Sequence, residues 1–446
     1  MSLRLVTFSL LVVLASPVLA APLTADDAVR IALQRSGAVV QSESQRLSAR
    51  SGLWSAYARL TPSVSAEWSR GGAFTDRSTG NQVFGAVTVP SSSFDSERYQ
   101  SSYGLSGRWA VLDPSALAGL SSARQGMRAA DLGQRATRAD VRLETKRRFY
   151  SVVKAMHLAR VSSQALRLAR DDERRVRALF EVGSVSKSDL LKAQVRTAQS
   201  QLDSLMSDHG VTSQRIALSV YLGIAERELG ELDSTLVAGA SAPDEPTVLS
   251  EARTRRPDLQ AAEASLRSAE LALRSARWAR LPALTVAGGW TPKSTSTQKQ
   301  FDDEAHTTNT SGRFESEDAW SGQVAVGVNL FDGFATDARV ASARASVLGA
   351  RETRDALLRN LEGEVRNVLL GHQEAREREA LARRALDSAS ENLNLVQQKY
   401  NVGSATILDL IDSQVQLQRA QNDLVSALAD IRVAEAAVDR VRGAGE

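Results

Sequence analysis

Asp409 and Asp412 stand three residues apart, so on a helix they share one face. Carboxylates stacked in this way, when several copies gather in rings, favour cations and disfavour anions. Their mutual repulsion raises some of their pKa values. Periodicity alone favours two ordinary surface aspartates. The pattern has an earlier counterpart with one change: Asp189 keeps its place, and Lys192 stands where Asp412 would.

Bond chemistry finds little support. The chain has no cysteine, which excludes disulfides, thiolate zinc sites, cysteine nucleophiles and a lipid-modified N-terminal cysteine. The four histidines, His157, His209, His306 and His372, lack metal-ligand spacing. Ser184-Val185-Ser186-Lys187 fits S-x-x-K, but its counterpart Ser404-Ala405-Thr406-Ile407 lacks the lysine and no companion motif is present, so the match is chance. Asn309-Thr310-Ser311 is a formal glycosylation sequon that carries no information behind a bacterial-type export signal. No enzyme, no cofactor and no metal site is expected. Lysine and arginine total 55 against 52 acidic residues and are scattered, which gives no case for nucleic acid.

The elements that position these residues follow from patterning. Met1 to Arg4 is basic, Leu5 to Leu14 is apolar and too short to span a bilayer, and Ser16 to Ala21 ends on small residues. That is an export signal, cleaved after Ala20 or Ala21. No later stretch offers 18 consecutive apolar residues, so any membrane span must be a closed β-barrel.

The rest is one unit written twice. Phe180-Glu181-Val182-Gly183-Ser184 returns 220 residues later as Tyr400-Asn401-Val402-Gly403-Ser404. The same offset joins Asp189-Leu190 to Asp409-Leu410, Gln194-Val195 to Gln414-Val415, and Pro62 to Pro282. Each copy reads as helix, strand, polar loop, strand, very long helix, turn and long helix. The organisation expected is a signal peptide over 1–20, a first repeat over 21–220, a linker or equatorial segment over 221–247, and a second repeat over 248–446.

Val64, Ala66 and Trp68 alternate with Ser65, Glu67 and Ser69, and Tyr103 to Val111 alternate likewise. Leu284 to Trp290 and Trp320 to Leu330 repeat the pattern. An apolar face against a small, polar face is what a barrel strand requires. Residues 71–100 and 291–318 read as long polar loops. Ser115 to Phe180 and Phe334 to Tyr400 lack proline, each about 100 Å long at 1.5 Å per residue if continuous. Each returns through a glycine turn into a second helix, from Val185 and from Ala405, with the modest alanine-rich seam of a coiled coil. Four strands cannot close around a lumen, so several chains must share one barrel, and three would give twelve strands.

These features together resemble the outer-membrane efflux protein (TolC) family. The match rests on the duplicated unit, on Leu60-Thr61-Pro62 and Leu281-Pro282, and on Leu330-Phe331-Asp332-Gly333-Phe334. It rests most on Tyr400-Asn401-Val402-Gly403-Ser404 followed by Leu408 to Gln414. The resemblance implies a mainly α fold with a transmembrane β-barrel: four strands per protomer, a homotrimer with a 12-stranded barrel in outer-membrane lipid, and a coiled-coil tunnel across the periplasm. It implies a channel subunit of a tripartite efflux or type I secretion system, working with a periplasmic adaptor and an inner-membrane pump of RND or ABC type. It implies that Asp409, Asp412 and Asp189 form the pore constriction. Tyr400, Ser188, Phe180 and Lys187 would make the gating links, with Ala405 replacing an expected basic partner. Val182, Gly183, Ser184, Val402, Gly403 and Ser404 would be the tips that touch the adaptor. The competing readings are a periplasmic adaptor, which would show one hairpin, and a structural coiled-coil envelope protein, which would not need paired alternating strands.

Overall fold

Thr24 and Asp27 start the first helix. The Thr24 hydroxyl accepts from the Asp27 amide at 3.2 Å and donates to its carboxylate at 2.7 Å, a capping box for α1 (Ala25–Arg35). Ser36 is extended and ends it, and α2 (Gly37–Ala58) restarts one residue later. A computed structural model gives these positions and describes residues 22–75, 81–84, 86–90, 94–237, 244–292, 295–302, 307–309, 313–315 and 317–444. The export signal expected over 1–20 lies outside the described residues, as do His306, Thr310 and Ser311.

After α2 come β1 (Ser63–Thr75), β2 (Asn81–Phe84), β3 (Val87–Pro90) and β4 (Phe94–Leu112), then the long α3 (Pro114–Glu181) and α4 (Lys187–Leu222). The order then recurs: α5 (Glu245–Arg255), α6 (Pro257–Trp278), β5 (Ala283–Thr291), β6 (Thr295–Asp302), β7 (Thr307–Asn309), β8 (Arg313–Glu315), β9 (Ala319–Gly327), α7 (Ala335–Asn401) and α8 (Ile407–Arg442). The starts of α5, α6 and α8 lie 220 residues after those of α1, α2 and α4.

The chain divides into two compact units. One, residues Arg46–Ala129 and Ala262–Arg354, carries the strands. Four antiparallel strands run β1-β4-β5-β9. Their register places Trp68 opposite Tyr103, Trp109 opposite Val286 and Trp290 opposite Trp320. Val64, Trp68, Leu105, Trp109, Val286, Trp290, Val324 and Val326 therefore share one face, and much of it is bare: Val64 is 76% exposed, Trp68 71%, Trp320 80% and Val324 70%. The other face is small and polar, with Ser65–Ser106 and Ser69–Ser102 hydroxyl bonds of 2.8 and 2.7 Å between β1 and β4. Small residues also bring α3 against α6: Ser122 and Ser268 each donate to the other's carbonyl, at 2.8 and 2.9 Å.

Two expectations need correction here. The polar stretches are not plain loops, since β1 pairs with β4 out to Thr75–Ser96 and β6 adds to β4 over Phe94–Ser101. Serine, threonine and glutamine tolerate a strand, and a ladder satisfies their backbone without an apolar face to announce it. The last strand stops at Gly327 rather than reaching Leu330, and Leu330 is 95% exposed.

The other unit, residues Met1–Gln45, Ala130–Ala261 and Asp355–Glu446, is helical apart from one bridge between Leu23 and Leu232 among its described residues. α1 packs on α3 and α4 through Ala28, Ala32, Phe149, Val152 and Leu218. Leu229 and Leu232 of the expected linker join that core. α5 packs on α7 and α8 through Val248, Ala252, Val365 and Val441. No described helix is long and apolar enough to cross a membrane.

Candidate functional site

The tips of the two helical hairpins are built by the same local rules. α3 ends in a Schellman turn: the Ser184 amide reaches Leu179 O at 2.8 Å and the Gly183 amide reaches Phe180 O at 2.9 Å. α7 ends likewise, with Ser404 to Lys399 O at 2.9 Å and Gly403 to Tyr400 O at 3.0 Å. Both turns need a left-handed residue, and Gly183 and Gly403 supply it at φ 76° and 77°. Val182 and Val402 stand fully out, at 74% and 79% exposure.

The return helices are capped by a hydroxyl and an aspartate three residues apart. Ser186 Oγ accepts from the Asp189 amide at 3.2 Å and donates to its carboxylate at 2.7 Å. Thr406 and Asp409 repeat this at 3.2 and 2.8 Å, and the Asp409 carboxylate also accepts the Thr406 amide at 2.9 Å. These bonds favour the ionised form and hold both carboxyls below the usual range. At Asp409 the Thr406 amide and hydroxyl cause it; at Asp189 the Ser186 hydroxyl leads and Lys192 adds to it. Within one chain, the cap bonds pull the Asp409 carboxyl down. Asp412 is exposed on α8, a turn from Asp409. Lys192 holds Asp189 at 3.4 Å, so the first tip carries a neutral pair where the second carries two acids.

The tips meet through an apolar cluster of Val176, Ala193, Ile407 and Leu410, against which Tyr400 packs. Beside it lies a groove of about 670 Å³ whose lining includes Arg175, Asp189, Lys192 and Tyr400. Burial pushes the Tyr400 hydroxyl up, and the charges of Asp172 and Asp189 add to this. Tyr400 and Asp189 thus share a groove, but no hydrogen bond joins Tyr400 to either Ser188 or Asp189. Ser188 and Lys187 are exposed, and Phe180 is 37% exposed beside its turn.

Two polar links between the hairpins were not foreseen. Gln414 Nε2 donates to Asp172 at 2.6 Å, and burial raises the Asp172 pKa against that bond. Arg196 Nη2 donates to Gln418 at 2.9 Å, and burial lowers the arginine's pKa. The signal for the first was present, since Asn392 replaces Asp172 in the second copy. Among the described residues no cluster of histidine, cysteine, aspartate and glutamate could hold a metal ion.

Comparisons with known proteins agree with this architecture. The family model for outer membrane efflux proteins matches residues 248–444. The outer membrane protein TolC of Vibrio cholerae is 26% identical over 345 residues, covering 76% of this chain and 72% of that protein. The cobalt-zinc-cadmium resistance protein CzcC of Cupriavidus metallidurans is 24% identical over 310 residues, covering 69% and 68%. A crystal structure of a membrane protein from Pseudomonas aeruginosa shares the fold, with a TM-score of 0.75 at 19% identity over 95% of this chain and 91% of that one.

Proposed function

We propose that this chain, whose residues 248–444 match the outer membrane efflux protein family, is the outer-membrane channel of a tripartite export system, three copies forming one passage. The observation that carries the reading is the four-stranded sheet. One face is apolar and bare, its opposite face is lined by serine and glycine, and no described strand covers the outer edge of β1 or β9. An exposed apolar face this continuous requires a cover. Lipid outside and water inside meet the demands of both faces once the edges close on neighbouring copies.

The hairpin tips then form the periplasmic entrance. Asp409 and Asp412 line it, Tyr400 and Ser188 act in its closure, and Val182, Gly183, Ser184, Val402, Gly403 and Ser404 meet a periplasmic adaptor that couples to an inner-membrane pump. Such a passage conducts and does not choose among cargoes by bond chemistry, so cargo selection sits with the pump. The test is extraction from outer membranes followed by mass measurement of the native oligomer and recording in planar bilayers. Three copies with stepwise conductance support the reading. A soluble monomer overturns it.

A further inference from the structure

The polar face of the four-stranded sheet carries two charges among its described side chains, Arg108 and Glu67, and the register keeps them apart. Ser63, Arg108, Ala287 and Gln323 form the rung of that face nearest α2 and α3. Ser65, Ser106, Gly289 and Ser321 form the next rung. Glu67 stands opposite Gly104 in the rung after that. Four residues of β1 separate Ser63 from Glu67, about 13 Å along the strand. Arg108 is exposed, and no described acidic side chain pairs with it. The first two rungs line a groove of about 520 Å³ that holds one guanidinium and no carboxylate. Its floor is open because Ala287 and Gly289 are small, and a Cβ on Gly289 would stand 3.2 Å from Ser321 Oγ. The serine hydroxyls and the Gln323 amide supply further donors around the arginine.

We infer that Arg108 is an anion subsite inside the passage, taking the phosphate or carboxylate group of a solute at the end of the barrel nearest the helices. The inference rests on the proposed ring of copies, which turns this face toward the lumen. A guanidinium presents five donors in a planar fork that matches the two oxygens of such a group. Three copies bring three of them to one level, and rings of arginine favour anions and phosphate in pores. The matching stretch of the second repeat, Trp320 to Leu330, has no charged residue, so the ring holds three arginines and not six. Its sign is opposite to that of Asp409 and Asp412 at the proposed entrance. The groove is open to water, where salt screens the charge, so the solute is held briefly and released. Cargo choice stays with the pump.

Planar-bilayer recording of the full chain in potassium chloride, with inorganic phosphate as the probe, tests this. Native mass is measured on each variant in parallel. Added phosphate should lower the conductance of the unaltered channel. In Arg108→Gln the phosphate concentration for half of that block should rise roughly tenfold, as the loss of a charged hydrogen bond implies. Its reversal potential in a salt gradient should also move toward the cation. Arg108→Lys keeps the charge and loses the fork, so its reversal potential should stay and its block should weaken less than in Arg108→Gln. A trimer that conducts but answers phosphate equally in all of these proteins overturns the subsite and leaves the channel reading intact. A reversal potential that moves while the phosphate response does not overturns it too, because charge would then act without a site. A native monomer without conductance overturns both. If Arg108→Gln fails to assemble, Arg108→Lys decides, and a block equal to the unaltered one counts against the subsite.

Discussion

The first and second hairpins share a backbone and differ in chemistry. Their turns use the same glycine, the same extended cap and the same aspartate, at φ 76° and 77°. Beyond the turn, Lys192 corresponds to Asp412, Asp172 to Asn392, and the buried Val152 to the buried His372, each 220 residues on. The lesson is that geometry at the tips is held by backbone bonds that both copies must keep. Charge is free to diverge because it does not build the turn.

The largest break in this symmetry is expected at the far ends of the return helices. Gly223 and Gly443 close α4 and α8 at φ 67° and 71°. A Cβ on Gly443 would sit 2.9 Å from the Arg255 carbonyl carbon, which is backbone and cannot swing away, whereas one on Gly223 meets nothing nearer than 3.4 Å. Gly443→Ala should therefore cost about 3 kcal/mol, combining a left-handed penalty with overpacking. Gly223→Ala should cost about 1–2 kcal/mol, from the left-handed penalty alone. Thermal unfolding of the two variants checks this, and equal losses would show that the corner at Arg255 yields.

Next comes His372, the counterpart in the second hairpin of the buried Val152. His372 is 3% exposed, its Nε2 has no partner, and burial lowers its pKa from 6.5. The native state thus resists the proton that the unfolded chain accepts. Stability is full above about pH 6.5 and falls as pH drops toward the lowered native value. His372→Val, copying the first hairpin, should flatten that acid loss by no more than about 2 kcal/mol at pH 5. Melting curves from pH 7.5 to 5 measure it; an unchanged slope would place the acid sensitivity elsewhere.

The caps should show a smaller effect. Thr406→Ala removes two hydroxyl bonds at the second tip, and Ser186→Ala does the same at the first. Each should cost about 1 kcal/mol. Local hydrogen exchange at the turns reads it, and protection unaltered in both would mean that the glycine turn alone holds the tip.

Much of this was legible because local rules wrote it. The glycine turns, the long helices after Ser115 and Phe334, and the alternation of Trp68, Tyr103 and Trp290 all follow from residue type and spacing. What was not legible depended on partners distant in sequence. The Arg256 network is one case: Arg256 is 5% exposed, with bonds of 2.6 Å to both Asp258 and Glu364, and Glu364 also binds Arg440. No spacing joins residues 108 apart. Asp409 is a different case. Thr406-x-x-Asp409 is a capping pattern open to inspection. Reading the aspartate only as a pore charge hid its bond to the cap.

Asp412 gives the smallest expected change in stability and the sharpest test of the contrast between the tips. It is exposed, does not cap α8, and stands where the first hairpin has a lysine. Asp412→Lys should let the new ammonium meet Asp409 as Lys192 meets Asp189 at 3.4 Å. Surface substitutions of this kind move stability by no more than about 0.5 kcal/mol. Yet each chain gains two units of positive charge at the proposed entrance. Rings of carboxylates favour cations, so replacing one ring by ammonium groups should move the reversal potential in a salt gradient toward the anion. Asp412→Asn should give half the displacement, because it changes one charge instead of two. A reversal potential that ignores both substitutions would remove Asp412 from the conducting path, and the divergence from Lys192 would then be an ordinary difference between two surface positions.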